Sequence, residues 1–164
     1  MGKIVKKQSH KKLYENIKAL LHEARSTIAR NINTAMVMTY FEIGRMIVEH
    51  EQEGAKRAEY AKETLKSLSQ KLTAEFDRGF SVDNLQRMRV FYLMYKKYAT
   101  VSRISAKSPA TFPLSWSHYV FLIRLSENER KFYEIETVKQ NWSLRELERQ
   151  FNSSLGAGAA YHRD

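Results

Sequence analysis

The sequence predicts an all-α protein: a multi-helix bundle containing a helix-turn-helix-like unit, with a long N-terminal helix or helix pair. Three observations carry this reading. Apolar residues recur at three- and four-residue spacing along most of the chain, and no stretch alternates as a strand would. Only two Pro and six Gly interrupt 164 residues. With 43% apolar and 12% aromatic residues the chain can build a core, and its length suits one domain of roughly 100–150 residues with short extensions.

Residues 1–12 read as a basic flexible arm, with five Lys and no acid. From there Leu13, Ile17, Leu20, Leu21, Ala24, Ile28 and Ile32 form a narrow apolar stripe, suited to one seam of a helix pair. Asn31 and Asn33 mark a break before a broader run, Val37, Met38, Tyr40, Phe41, Ile43, Met46 and Ile47, which reads as buried. Gly54 stops it. A third helix, from about Lys56 to Phe76, puts Ala61, Leu65, Leu68, Leu72 and Phe76 on one face. In the turn Asp77-Arg78-Gly79-Phe80-Ser81 the Gly can take positive φ and the Ser can cap a fourth helix. That helix carries Leu85, Met88, Phe91, Tyr92 and Tyr95 on one side, and residues 99–114, with both prolines, form the one real loop. Three helices opened by Ser117, Ser126 and Ser143 close the chain. The last two have Glu three residues on, at Glu129 and Glu146, the pattern of a capping box. The last helix turns Leu144, Leu147, Phe151 and Leu155 inward. The expected organisation is an arm (1–12), a helical domain (13–155) and a frayed, small-sided tail (156–164).

The net charge of +10 is concentrated. Residues 1–12 carry +5, 13–65 carry −1, 66–107 carry +6, and 108–164 balance at zero. Localised excess of this kind fits a polyanion binder, usually of nucleic acid, against the plainer reading of a solvated basic face. Thr64–Tyr95 has the layout of a helix-turn-helix, in which the start of the second helix reads base edges. Gln86 and Arg87 are the candidates there, since each can offer two hydrogen bonds in one plane. Lys66, Lys71, Arg78, Arg89, Lys96 and Lys97 are candidates for phosphate contacts. Ser81 can cap the helix and leave its amide end for a phosphate. Double-stranded DNA is therefore the expected partner. The same layout also fits ordinary bundle packing. The alternative function is a dimerisation or partner-docking bundle with a basic surface, using the Leu13–Ile32 seam as a homodimer contact.

Several classes of function are excluded. Without Cys there is no disulfide scaffold or thiolate nucleophile. The five His are scattered without metal-ligand spacing, so no cofactor or metal is expected in this chain. His118 sits beside a helix start, where a core or capping role fits best. No phosphate-cradling Gly loop or nucleophile motif occurs, and Trp116, Trp142 and the aromatic stretch Phe91–Tyr98 read mainly as core. No apolar run approaches a membrane span of roughly 18 residues, and no signal peptide opens the chain. The expectation is a soluble, cytoplasmic, non-catalytic domain.

Several dispersed motifs, in order, give the chain a family resemblance. They begin with Tyr40-Phe41-Glu42-Ile43-Gly44-Arg45, Ala58-Glu59-Tyr60-Ala61 and Leu68-Ser69-Gln70-Lys71-Leu72. Gly79-Phe80-Ser81, Asn84-Leu85, Met88-Arg89 and Phe91-Tyr92 come next. The series ends with Leu114-Ser115-Trp116-Ser117-His118-Tyr119, Arg130-Lys131-Phe132-Tyr133 and Asn141-Trp142-Ser143-Leu144-Arg145-Glu146-Leu147-Glu148-Arg149-Gln150. From about Leu13 to Leu155 the chain resembles the N-terminal helical domain of the YhcG-type proteins, prokaryotic proteins whose C-terminal half looks like a PDDEXK nuclease. The resemblance implies a DNA-binding or targeting module for a Mg-dependent nuclease, often linked with defence against foreign DNA. Two departures stand out. No nuclease domain and no Asp…Glu-x-Lys pattern follows within these residues, so no catalytic residue carries over. Asp83 stands before Asn84-Leu85, where the family pattern has a basic residue.

Overall fold

The computed structural model describes residues 2–54, 58–104 and 112–160. Among these are six helices and no strand: α1 (Gly2–Gly54), α2 (Ala58–Phe76), α3 (Val82–Ile104), α4 (Trp116–Leu122), α5 (Glu127–Gln140) and α6 (Leu144–Ala160). The all-α bundle is as the sequence predicts.

The largest departure is α1. It runs unbroken for 53 residues, so Asn31 and Asn33 interrupt nothing, and residues 2–12 form its first turns. Single Asn residues cost a helix only a few tenths of a kcal/mol, roughly 0.5 each, and cannot by themselves end one. Its two halves have different surroundings. In the second half Val37, Phe41, Ile47 and Val48 are buried. In the first half the expected seam is exposed, Leu13 at 59%, Leu20 at 66% and Ile28 at 59%, and among the described residues no other helix lies along it.

The body is built where α3 crosses the second half of α1. Backbones meet closely at Gly44: a Cβ there would run into the Met88 carbonyl oxygen, lying 2.7 Å from the carbonyl carbon and 3.0 Å from Tyr92 Cβ. Only hydrogen fits in that space. Beside this contact, Arg89 Nε donates to the Glu51 carboxylate at 2.7 and 3.0 Å, tying the two helices with a half-buried ion pair. Leu85, Met88, Phe91 and Tyr95 are buried, as the spacing of α3 predicts, and Tyr92 is half-buried. Phe91 is the hub. The rings of Phe41, Tyr95, Phe112, Trp116 and Tyr119 lie 4.8–5.8 Å from it, centre to centre.

α2 covers one side of this crossing through buried Leu65 and half-buried Leu68 and Leu72. Phe76 stays exposed, its ring 6.1 Å from that of Phe80. The turn after it takes positive φ at Asp77 (64°) and Gly79 (111°), the latter as expected. On the other side α4, α5 and α6 pack on one another through Tyr119, Leu122, Tyr133 and Leu147. Leu144 and Phe151 are half-buried, while the side chain of Leu155 and residues 161–164 lie outside the described residues. Helix α6 continues through Ala160, so the first part of the expected frayed tail is helical. Of the expected loop, α3 takes residues up to Ile104, and 105–111 lie outside the described residues.

Capping explains the short helices. Helix α4 starts slightly earlier than expected, with Ser115 as its N-cap. His118 locks this start: its Nε2–H donates to the Trp142 carbonyl (3.1 Å), leaving Nδ1 to accept from the Ser115 hydroxyl (2.7 Å). Ser126 and Glu129 form the predicted capping box, the Glu129 carboxylate accepting from the Ser126 amide (3.0 Å) and hydroxyl (2.5 Å). Ser143 makes half of its box. Its hydroxyl accepts from the Glu146 amide at 3.3 Å, but the Glu146 carboxylate turns to Arg149 and Gln150.

A buried polar cluster joins the two halves of the body. The hydroxyls of Tyr95 and Tyr119 donate to the Glu134 carboxylate at 2.9 and 3.2 Å. Burial raises the pKa of this carboxyl, while the two tyrosine bonds and the nearby Arg130 charge oppose that rise. Arg130, itself buried, lies over the Tyr95 ring with its guanidinium carbon 5.6 Å from the ring centre.

This packing makes two predictions. Gly44→Ala should destabilise the protein by about 3 kcal/mol, the upper end of overpacking costs, because a backbone carbonyl cannot step aside as a side chain can. Urea unfolding measures it. The second concerns His118, whose pKa is lowered by burial against the opposing bond to Trp142. The unfolded chain takes up this proton near pH 6.5 and the folded protein only at lower pH. Between those points the unfolded state binds more protons, so stability falls as pH falls below about 6.5. Melting curves across that range should show the loss, and His118→Gln should remove its share of the slope.

Candidate nucleic-acid interface

Helix α3 presents a narrow polar strip to solvent. Asp83, Gln86, Arg87 and Lys97 are exposed on it, whereas Val90 is half-buried against the core. The strip begins at a capped end. Ser81 Oγ accepts from the Asn84 amide at 3.2 Å, and Asn84 Nδ2 donates back to the Gly79 carbonyl at 2.5 Å. Asn84 Oδ1 then accepts from the Trp116 indole at 3.0 Å. One side chain thus ties the turn before α3 to the start of α4 and fixes the indole beside the strip. Asp83, in the first turn of α3, has the charge that a helix N-terminus favours, a structural use for the family departure.

Beside this end of α3 runs an open groove of about 430 Å³. Trp116, Tyr40 and Phe121 line it, all half-buried, together with Arg87 from α3, Arg124 from the turn after α4 and Glu148 of α6. Both arginines are exposed. Two guanidinium groups and three aromatic rings lining one groove suit a phosphate backbone or a stacked base.

The other candidates are not gathered here. Lys66 and Lys71 are exposed on α2, about 140° apart on its helical wheel, so they flank its buried stripe on opposite sides. Arg78 is exposed in the turn. Lys96 and Lys97 are exposed ten residues beyond Gln86 and Arg87, about 15 Å along the helix. There Lys97 belongs to a basic setting at the start of α5: the Lys131 bond first, then smaller effects of Arg130 and Lys97, hold Glu127 below the usual carboxylate range. Arg89 faces inward onto Glu51. Sequence reasoning missed Arg124, one of seven basic residues in a neutral C-terminal third, because nothing local marks it; only the fold brings it to the same groove as Arg87. Trp116, visible in the Ser-Trp-Ser-His motif and expected as core, packs against Phe91 and also lines the groove.

Among the described residues no group of three or more His, Asp or Glu is placed to hold a metal ion, and no helix is long and apolar enough to cross a membrane.

Comparison with known proteins places the chain in a family. Residues 16–157 match the family described as DUF1016 N-terminal domain, and the chain belongs to this family. A relative in Escherichia coli (strain K12), described as "Putative nuclease YhcG", is 36% identical over an alignment covering 86% of this chain and 44% of that protein. The chain therefore spans under half the length of this curated relative. No solved structure matches it.

Proposed function

We propose that this domain binds double-stranded DNA without cleaving it and serves to target a nuclease, acting in the cytoplasm against foreign DNA. The observation that carries the reading is the groove lined by Arg87, Arg124 and Trp116, to which the block 66–107, holding +6 of the net charge, contributes Arg87. Membership of a family that includes a longer protein described as a nuclease supports the targeting half of the proposal.

On this reading the basic block captures the duplex electrostatically. Arg87 and Arg124 grip phosphates at the groove, and Gln86 is the side chain best placed to reach a base edge. Lys66, Lys71, Arg78, Lys96 and Lys97 add phosphate contacts around the site. Arg89, engaged with Glu51, contributes by holding α3 in place. Catalysis, with its metal, belongs on this reading to a C-terminal PDDEXK domain in full-length relatives, and no cofactor acts in this domain.

The test is a salt titration of binding to a mixed-sequence duplex, with Arg87→Ala combined with Arg124→Ala run alongside. Both side chains are exposed, so the melting temperature should hold. Affinity should fall about tenfold or more, and the log–log salt slope should shrink by about 1.8, for two phosphates released. Unchanged affinity and slope in a folded variant would remove the groove from the interface. Absence of duplex binding at low salt would refute the DNA reading.

A further inference from the structure

The exposed seam on the first half of α1 has no covering element among the described residues. Leu13, Ile17, Leu20, Leu21, Ile28 and Ile32 are 48–66% exposed there. With Tyr14 they present roughly 700 Å² of largely apolar surface, against the ~800 Å² each partner buries in a standard stable interface. A monomer's largest apolar patch is usually only ~300–600 Å².

The stripe has a regular geometry. Leu13, Ile17, Leu21, Ala24, Ile28, Ile32 and Ala35 are spaced 4, 4, 3, 4, 4 and 3 residues apart. Eleven residues for three turns keeps such a stripe on one face of a nearly straight helix. The wheel places it about 160° from the face that carries Val37, Phe41, Gly44 and Val48 into the body. A second helix can therefore lie along the seam without meeting that body.

The apolar area fits a second copy as the occupant, and charge selects its direction. Residues 1–12 carry +5, while residues 33–44 carry one acid, Glu42, and no basic residue. Two copies side by side in the same direction would set one +5 segment against the other. Reversed, with position 13 opposite position 32, each basic start lies beside residues 33–44 of the other copy, so like charges are kept apart. We propose that two copies of this chain pair antiparallel through the Leu13–Ile32 seam, centred between residues 22 and 23, so that position 13 of one copy faces position 32 of the other. The pairing is isologous, as a two-fold dimer requires, and it does not rest on the DNA reading.

Light scattering across a dilution series of the full chain, without DNA, should give a dimer mass that declines toward the monomer on dilution. Leu20→Glu with Ile28→Glu should give a monomer at every concentration while the thermal unfolding of the body is unchanged. Orientation is read from disulfides, since the natural chain has no Cys. Under oxidation, Leu13→Cys and Ile32→Cys proteins mixed together should form a mixed disulfide, and Leu13→Cys alone should cross-link little. A monomer throughout the series, or a double-Glu variant that stays dimeric, would overturn the pairing. Loss of body stability in that variant would show the seam to be core and overturn it too. Efficient self-cross-linking of Leu13→Cys would overturn the antiparallel direction.

Discussion

The approach of α1 to α3 at Gly44 sets the geometry of this domain. With no side chain at that position, the Met88 carbonyl sits against the α1 backbone, and the two helices can come together closely enough for Phe41 and Phe91 to share one aromatic cluster. The Arg89–Glu51 pair fastens the same contact further along. Every other element packs on this pair: α2 on one flank, α4 on the other, and α5 and α6 behind α4. The hydrophobic contribution of such a core is non-directional, so this one close approach does much to decide which of many similar packings is adopted.

Function on this domain is a matter of what the crossing leaves outside. Burying Leu85, Met88, Phe91 and Tyr95 turns the Gln86–Arg87 edge of α3 outward, and Asn84 then brings Trp116 and the start of α4 beside it. Arg124, in the turn that follows the seven-residue α4, comes to line the same groove as Arg87. The half-buried Glu134, held by two tyrosines, is a different kind of polar group. It is engaged inside the body and links α3, α4 and α5, which fits a role in specifying their arrangement.

Much of this was legible in the sequence. Periodicity located α2, α3 and α6, the Asp77–Ser81 turn, the buried side of α3 and the Ser126–Glu129 capping box, because each depends on residues close along the chain. Membership of the family was legible from the dispersed motifs. What escaped were matters of tertiary context. The Leu13–Ile32 stripe has the spacing of a buried seam, and spacing alone does not say whether its partner comes from the same chain. Asn31 and Asn33 are weak breakers that a continuous helix absorbs. Arg89 looked like a phosphate ligand until the fold placed Glu51 across from it. The Arg87–Arg124 groove joins residues 37 positions apart, and nothing local marks Arg124.

The central claim is that the second half of α1 and α3 form one cooperative unit, from which the first half of α1 projects. Native-state amide hydrogen exchange, followed residue by residue in increasing denaturant, tests it most directly. Amides of residues 37–48 and 85–95 should exchange with the same free energy, that of global unfolding, while amides of residues 13–30 exchange more readily in dilute solution. Exchange of residues 37–48 well before 85–95 would contradict the claim. So would residues 13–30 sharing the global value in dilute monomer.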